Sequence, residues 1–533
     1  MSPVQNVVIV GSGPAAAAAA LALARDSRFV VQILDVGLRL ESRRAALLAG
    51  VADSRPEEWP AAVRGELSRH PLADVRGELP KKQVFGSDFP FRDGGQLQSL
   101  SAVAGANERS VSGAFGGFSN AWGAQIMPFS RPTLDAWPIG YDAMVPHYRE
   151  MLEHLPFAAV EDDYAERFPL LAPAQPLPPV APVAAAALRR YEERRDRVRA
   201  RGVTMGLARL AMQASGCIEC GLCLTGCPYG LIYSSSQTLA PLIDSGSISY
   251  RGATLVLRVG EDDQGCWIEA RNLDSGALET IRADRVLLAC GGLGTTRIVL
   301  NSIRPAVTEL TLKESVQVVV PFVSARGQAD PRLRTGFTLN QFNMLVEYGR
   351  AGLDLAQFHL YPYNPGFEDA LPRVLRSSER VGAALLRRVT AGLGYLPSWA
   401  SPAVRVKVGA AEREGLPAVN LSTEPNETTR RVLYRVLTRM LSVAPALDLW
   451  PVVPALSLSG PAKSYHFGGS FPHVAGTPRA NACETDEQGR PADWSRVHMI
   501  DASVFPTVAA TTFTLTVMAN AHRIAEAIRR GTP

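Results

Sequence analysis

Apolar residues run without alternation through VQNVVIV (4–10), the pattern of a parallel strand buried on both faces. GSGPAAAAAALALARD follows and predicts a glycine turn opening an alanine-rich helix, and FVVQILD (29–35) predicts the next strand. Buried strand, glycine turn and helix return at RVLLACGGLGTTRIVL (285–300), and residues 498–530 predict strand, turn and long helix. Strands separated by helices in this way predict an α/β core on a parallel sheet. Residues 249–259 and 266–273 alternate like strands, and 316–363 reads as antiparallel strands of a second domain. WPIGYDAMVPHYREMLEHL (137–155) carries a helix start and an apolar stripe, and 187–202 predicts a charged helix. Residues 373–395 predict a basic amphipathic helix, more simply a packed surface helix than a membrane-surface one. Between these, 55–79 reads as exposed and helical, 111–130 as a glycine-rich loop, and the proline-rich 168–182 as an extended linker. No internal repeat is visible.

Composition narrows the picture. A chain of 533 residues is too long for one simple core and suits two or three intertwined domains. The net charge of +4 comes without a long Lys/Arg run, so no nucleic-acid partner is expected. No segment reaches the roughly 20 apolar residues that span a bilayer. The start, MSPVQNVVIVGSG, has no basic region or cleavage site ahead of its strand, so a cytoplasmic location is the expectation. In a reducing compartment the seven cysteines are thiols or metal ligands rather than disulfides.

Gly11-Ser12-Gly13-Pro14-Ala15-Ala16 is G-x-G-x-x-A between a strand and a helix. Gly11 makes the tight turn, Gly13 lets backbone approach a pyrophosphate, and the small Ala16 lets helix and strand pack closely. An acid is expected at the end of the second strand to bind a ribose hydroxyl, and Asp35 stands there. The pattern alone serves NAD and FAD equally. MIDASVFP (499–506) followed by a long helix is a second nucleotide-facing unit, with Asp501 and Ala502 at its turn; a large flavin needs such extra walls, so FAD is expected.

Cys217, Cys220, Cys223 and Cys227 form C-x2-C-x2-C-x3-C followed by Pro228, the spacing of the bacterial ferredoxin run. The first reading is an iron–sulfur cluster, most simply [4Fe–4S] on these four, with Cys266, Cys290, Cys483 or a [3Fe–4S] form as variants. Structural zinc is the second, though zinc more often uses two separated C-x2-C pairs. A segment with no cluster is the third.

Taken together, these motifs resemble the glucose–methanol–choline (GMC) oxidoreductases. The matching stretches are VVIVGSGPAAAAAA with Asp35, AFGGFSNAWGAQIMPF (114–129), WPIGYDAMVPHY (137–148), LLACGGLGTTRIVL (287–300), SYHFGG (464–469) and VHMIDASVFPTVAATTFTLTVMANAHRIAEAI (497–528). The resemblance implies a Rossmann-like FAD-binding domain, of the GMC and p-hydroxybenzoate-hydroxylase kind, with a second, antiparallel-sheet substrate domain. It divides the chain into FAD-binding parts at 1–150, 236–305 and 464–533, a linker and cysteine segment at 151–235, and a substrate domain at 306–463. Gly116, Gly117, Ser119, Asn120, Trp122 and Gly123, in GGFSNAWG, resemble the flavin-hugging loop of the sugar-oxidising branch. Some relatives carry a flavin-linked histidine before that Trp; Ala121 stands here, so a non-covalent FAD is implied.

The resemblance places the active-site base at His466. Imidazole titrates near neutrality and suits removal of a hydroxyl proton. The family's second His or Asn falls here on Thr512, or Thr511 with a shift of one; a hydroxyl can donate or accept but is no base. His473 and His359 are the alternative partners. The implied activity is oxidation of a C–OH of a sugar, glycoside or polyol, hydride passing to FAD and the proton to His466. Electrons would leave through a cluster to a protein or small carrier. An oxygen-using oxidase, a lyase retaining FAD and a non-catalytic electron-transfer module are the alternatives.

Overall fold

The computed structural model describes residues 4–68, 83–92, 110–303, 309–328, 330–331, 336–364, 379–409, 415–460, 462–479 and 483–531, and all counts below refer to these. The first three strands are β1 (Gln5–Val10), β2 (Phe29–Leu34) and β3 (Val203–Leu207), followed by β4 (Ser249–Arg251), β5 (Thr254–Asp262), β6 (Gly265–Asn272), β7 (Leu278–Ala283) and β8 (Arg285–Leu288). The chain continues through β9 (Glu309–Glu314), β10 (Gln317–Val323), β11 (Phe342–Glu347), β12 (Leu355–Tyr361), β13 (Val389–Tyr395), β14 (Ala403–Val408) and β15 (Val419–Glu424). Four short strands close it: β16 (Trp450–Pro451), β17 (Ser457–Leu458), β18 (Phe467–Gly468) and β19 (Val497–Met499).

A five-stranded parallel sheet runs in the order β19-β8-β1-β2-β4. Its central strand is apolar on both faces because helices cover both. The helix Pro14–Leu23 has no polar stripe, and Ala15 to Ala20 are at most 3% exposed. Methyl-sized side chains let it lie close between the sheet and the helix Thr514–Arg530. The chain's two ends therefore meet in one core.

The second large sheet has seven strands, β16-β10-β13-β12-β11-β3, with β17 also on β10; its named pairs are antiparallel. Two smaller sheets, β15-β14-β9-β18 and β5-β6-β7, complete the framework.

Three sequence expectations change. The segment 373–395 is not one helix: residues 373–378 lie outside the described residues, the helix ends at Leu386, and Val389–Tyr395 is the strand β13 inside the large sheet. The reason is tertiary: Gly392 and Gly394 leave room for the rings of Phe322 and Phe358 to pass over the strand. The strand expected over 249–259 is two, β4 in the parallel sheet and β5 in a different one. The charged helix starts earlier, at Pro182, and breaks at Arg194 into Pro182–Glu193 and Arg195–Arg199. Of 55–79, a helix covers Ala61–Leu67, and 69–79 lie outside the described residues.

Candidate active site

The nucleotide fingerprint folds as its residue types dictate. Gly11 sits at φ +98°, and a Cβ there would lie 2.7 Å from the carbonyl oxygen of Ala289. A Cβ on Gly13, by contrast, would meet nothing within 4 Å. The turn is thus closed toward the neighbouring strand and open toward a cavity lined by Gly11, Gly13, Ala15 and Asp35. Asp35 accepts from Ser12 Oγ at 2.5 Å and from the Tyr250 hydroxyl at 3.2 Å. Burial pushes its carboxyl up to about 7, against these hydrogen bonds. Ser12 Oγ accepts in turn from the Gly116 amide at 3.0 Å, tying the fingerprint to the glycine-rich loop.

That loop forms a short 3-10 turn, Gly117–Asn120. Gly117, Ser119, Trp122 and Gly123 line the cavity. Gly116 and Asn120 do not: the Asn120 amide donates to the carbonyls of Phe115 and Gly117 and holds the loop's shape. Ala16 is likewise off the cavity, fully buried between helix and sheet. Trp122 is fixed by its Nε1 donating to the Tyr233 carbonyl at 2.7 Å.

At the C-terminal turn Asp501 and Ala502 line the same cavity. Asp501 accepts from Thr295 Oγ1 at 2.5 Å and from the Ser503 amide at 2.9 Å, and burial raises its carboxyl above the ordinary range. Cys290, named from sequence as an alternative cluster ligand, also lines the cavity, with its thiol donating to the Val10 carbonyl at 3.3 Å.

His466 stands on the cavity wall just before β18. The preceding loop is clamped by the buried Glu314 at the end of β9, which accepts from the amides of Ala462 at 3.0 Å and Ser464 at 3.2 Å. The Ser315 amide donates to the His466 carbonyl at 2.8 Å, and the His466 amide to Ser464 Oγ at 3.0 Å. Between them Tyr465 is held at φ 58°, a left-handed conformation that a bulky residue keeps only where its surroundings over-determine it. The His466 ring stacks on Tyr395, centroids 4.2 Å apart, and meets Phe513 edge-on. Burial pushes its pKa down to about 3, so the imidazole is neutral near pH 7.

Among the described residues, the buried polar atoms near this end without a hydrogen-bond partner include His466 Nδ1, His359 Nε2, Thr511 Oγ1, Thr512 Oγ1, Ser315 Oγ and both side-chain polar atoms of Gln357. Thr512 and His359 line the cavity with His466; Thr511 does not. His473 is no partner for His466. It is a core residue bonded to the Asp486 carbonyl, Thr485 and Asn520. Tyr361, Tyr395 and Glu314 had no motif to announce them. The alternation QFHLY, a strand with polar residues at every second position, is the signal by which the sheet's share of the site could have been found.

The cysteine segment forms turns rather than regular structure, with 3-10 turns at Ala214–Gly216 and Cys223–Thr225. All seven cysteines are free thiols. Among the described residues no three His, Cys, Asp or Glu side chains are grouped to hold a metal ion. Burial raises the thiols of Cys217 and Cys220 to about 11 and 12, and raises Cys227 as well, while Cys223 Sγ accepts from the Thr338 amide at 3.3 Å. With no such grouping among the described residues, the expectation of a [4Fe–4S] cluster on Cys217, Cys220, Cys223 and Cys227 is unsupported. No described helix is long and apolar enough to cross a membrane.

No family model matches the chain, and no curated protein matches it. Solved structures do. A pyridoxine 4-oxidase from Mesorbium loti is 13% identical with a TM-score of 0.60, over 99% of each chain. A variant of the formate oxidase of Aspergillus oryzae is 13% identical with a TM-score of 0.60, over 100% of this chain and 99% of that one. An FAD-dependent oxidoreductase from Chaetomium thermophilum is 12% identical with a TM-score of 0.59, over 99% of each. At these identities the likeness establishes the fold, end to end: a Rossmann-like nucleotide-binding core joined to a second, antiparallel sheet.

Proposed function

We propose that the chain is an FAD-dependent oxidoreductase of the GMC type that oxidises a C–OH group to a carbonyl. One observation carries this: the cavity that begins at the open glycine turn and Asp35 ends at His466, whose neutral imidazole has an unpaired nitrogen. Gly11, Gly13, Asp35, Gly117, Ser119, Trp122, Asp501 and Ala502 are the residues that would hold the cofactor. The deep, glycine-lined shape suits a dinucleotide, and Ala121 offers no atom for a covalent link. When bound, the flavin supplies the hydride acceptor.

The chain's own part is positional and protolytic. Glu314 and the strained Tyr465 turn fix His466, and His466 takes the hydroxyl proton as the carbon loses its hydride. Thr512 offers a hydrogen bond to the same oxygen. Phe513 and Tyr395 keep bulk water from the imidazole.

The substrate class put forward is a sugar, glycoside or related polyol, supported by the GGFSNAWG resemblance and by aromatic walls suited to the apolar face of a sugar ring. A second reading, oxygen as the electron acceptor, is favoured by two of the structural neighbours being named oxidases; peroxide release in air decides it. No electron step is drawn through the cysteines. Iron and acid-labile sulfide in anaerobically purified protein, lost in Cys220→Ser, would restore the cluster.

The direct test is His466→Ala. Flavin reduction by alcohol without oxygen should slow about 10²-fold or more, with FAD still bound. A change of less than a few-fold removes His466 from the role.

A further inference from the structure

The large sheet turns a polar stripe inward. Side chains alternate along β12, so Gln357, His359 and Tyr361 share one face while Phe358 and Leu360 share the other. All five are buried, His359 to 3% exposure. Register sets Tyr395 of β13 opposite Gln357, on that same face. A buried polar group without a partner costs about 1–3 kcal/mol, yet His359 Nε2 has none among the described residues. His359 lines the cavity that holds His466. The two imidazoles flank one ring: Tyr395 lies 5.4 Å from His359 and 4.2 Å from His466, and donation from Gln317 Nε2 to its hydroxyl at 3.0 Å steadies it. Burial first, and His466 second, hold the His359 imidazole neutral. A neutral imidazole is a donor at one nitrogen and an acceptor at the other. The nitrogen that receives the hydroxyl proton supplies one hydrogen bond to the oxygen left behind, and that oxygen has further lone pairs for a second donor.

We propose that His359 is a second catalytic imidazole. His466 accepts the proton of the bound hydroxyl, and His359 donates a hydrogen bond from Nε2 to the same oxygen, keeping its own proton throughout. The sheet thereby contributes to the chemistry as well as to the cavity wall. This rests on the reading of His466 as the base.

The test is a titration of the full chain, with and without FAD, with trifluoroethanol, an acidic alcohol that is a poor hydride donor. The probe is the ring signals of histidines labelled with ¹³C at Cε1. The His359 and His466 signals should move together on one binding curve. His359→Leu should weaken binding read at His466 about tenfold, and His359→Gln, whose amide nitrogen can donate from near the Nε2 position, should recover part of the loss. A His359 signal that stays still, unchanged affinity in His359→Leu, or no response in either ring overturns the proposal. If the variants fail to fold, the wild-type titration decides alone. FAD uptake is followed separately by absorbance. A chain that takes up no flavin ends the flavoenzyme reading, while the titration of the FAD-free chain still decides whether two imidazoles share one hydroxyl.

Discussion

His466 shows how far a side chain's surroundings set its chemistry. In water an imidazole titrates near 6.5; here burial moves it to about 3. The folded chain resists the proton, so the residue remains a neutral base wherever the pH exceeds about 4. Flavin reduction by alcohol should consequently show no limb near pH 6.5 that belongs to His466, measured by stopped-flow absorbance between pH 5 and 8 in wild type and His466→Ala. A break at 6.5 that disappears in His466→Ala would show an ordinary, solvated histidine. Gly11 makes a steric argument of the same size. Its positive φ and the 2.7 Å approach to the Ala289 carbonyl leave no room for a methyl group. Gly11→Ala should abolish FAD uptake or unfold the first strand–helix turn; full flavin occupancy with a wild-type melting temperature would contradict the geometry.

At the scale of elements, strand β9 acts at a distance by placing Glu314 beneath the loop that ends in His466. Burial raises this carboxyl from 4.5 to about 7. A folded pKa above the unfolded one means that the folded chain holds the extra proton between those values. The carboxyl's contribution to stability is then full below about 4.5 and is lost as the pH rises through about 7. Glu314→Gln removes that titration and turns a donor toward one of the two amide N–H groups that the carboxyl now accepts from. The melting-temperature gap between wild type and variant, measured by calorimetry, should be widest near pH 5 and shrink toward pH 8. A gap that widens with pH would refute the assignment. The variant should also slow flavin reduction with little change in KM, since it displaces His466 rather than the cavity wall.

On the scale of the whole molecule, three distant stretches build the end of the cavity at the glycine turn, and a separate sheet helps to build the end at His466. The helix Pro14–Leu23 packs on the helix Thr514–Arg530, so a ligand bridging the turn at Gly13 and the turn at Asp501 ties the chain's two ends together. Excess FAD should therefore raise the melting temperature, by about 4 kcal/mol of added stability at a thousandfold excess over Kd; no rise would mean that the cavity does not take FAD. Much of this architecture was readable in one dimension. Unbroken apolar runs announced the parallel strands, G-x-G-x-x-A with Asp35 announced the turn, and SYHFGG marked the residue at the cavity's far end. These signals are local, because a glycine's φ or a strand's burial depends on a few neighbouring residues. The strand at 389–395, the clamp from Glu314 and the placing of His359 and His466 on one cavity were not readable. Each depends on which segments the fold sets side by side, and basic helical periodicity over 373–395 gave way to packing under Phe322 and Phe358. Nor could spacing alone say whether four thiols converge: intervals between cysteines allow a cluster, whereas side-chain directions set by the surrounding turns decide whether one has its ligands.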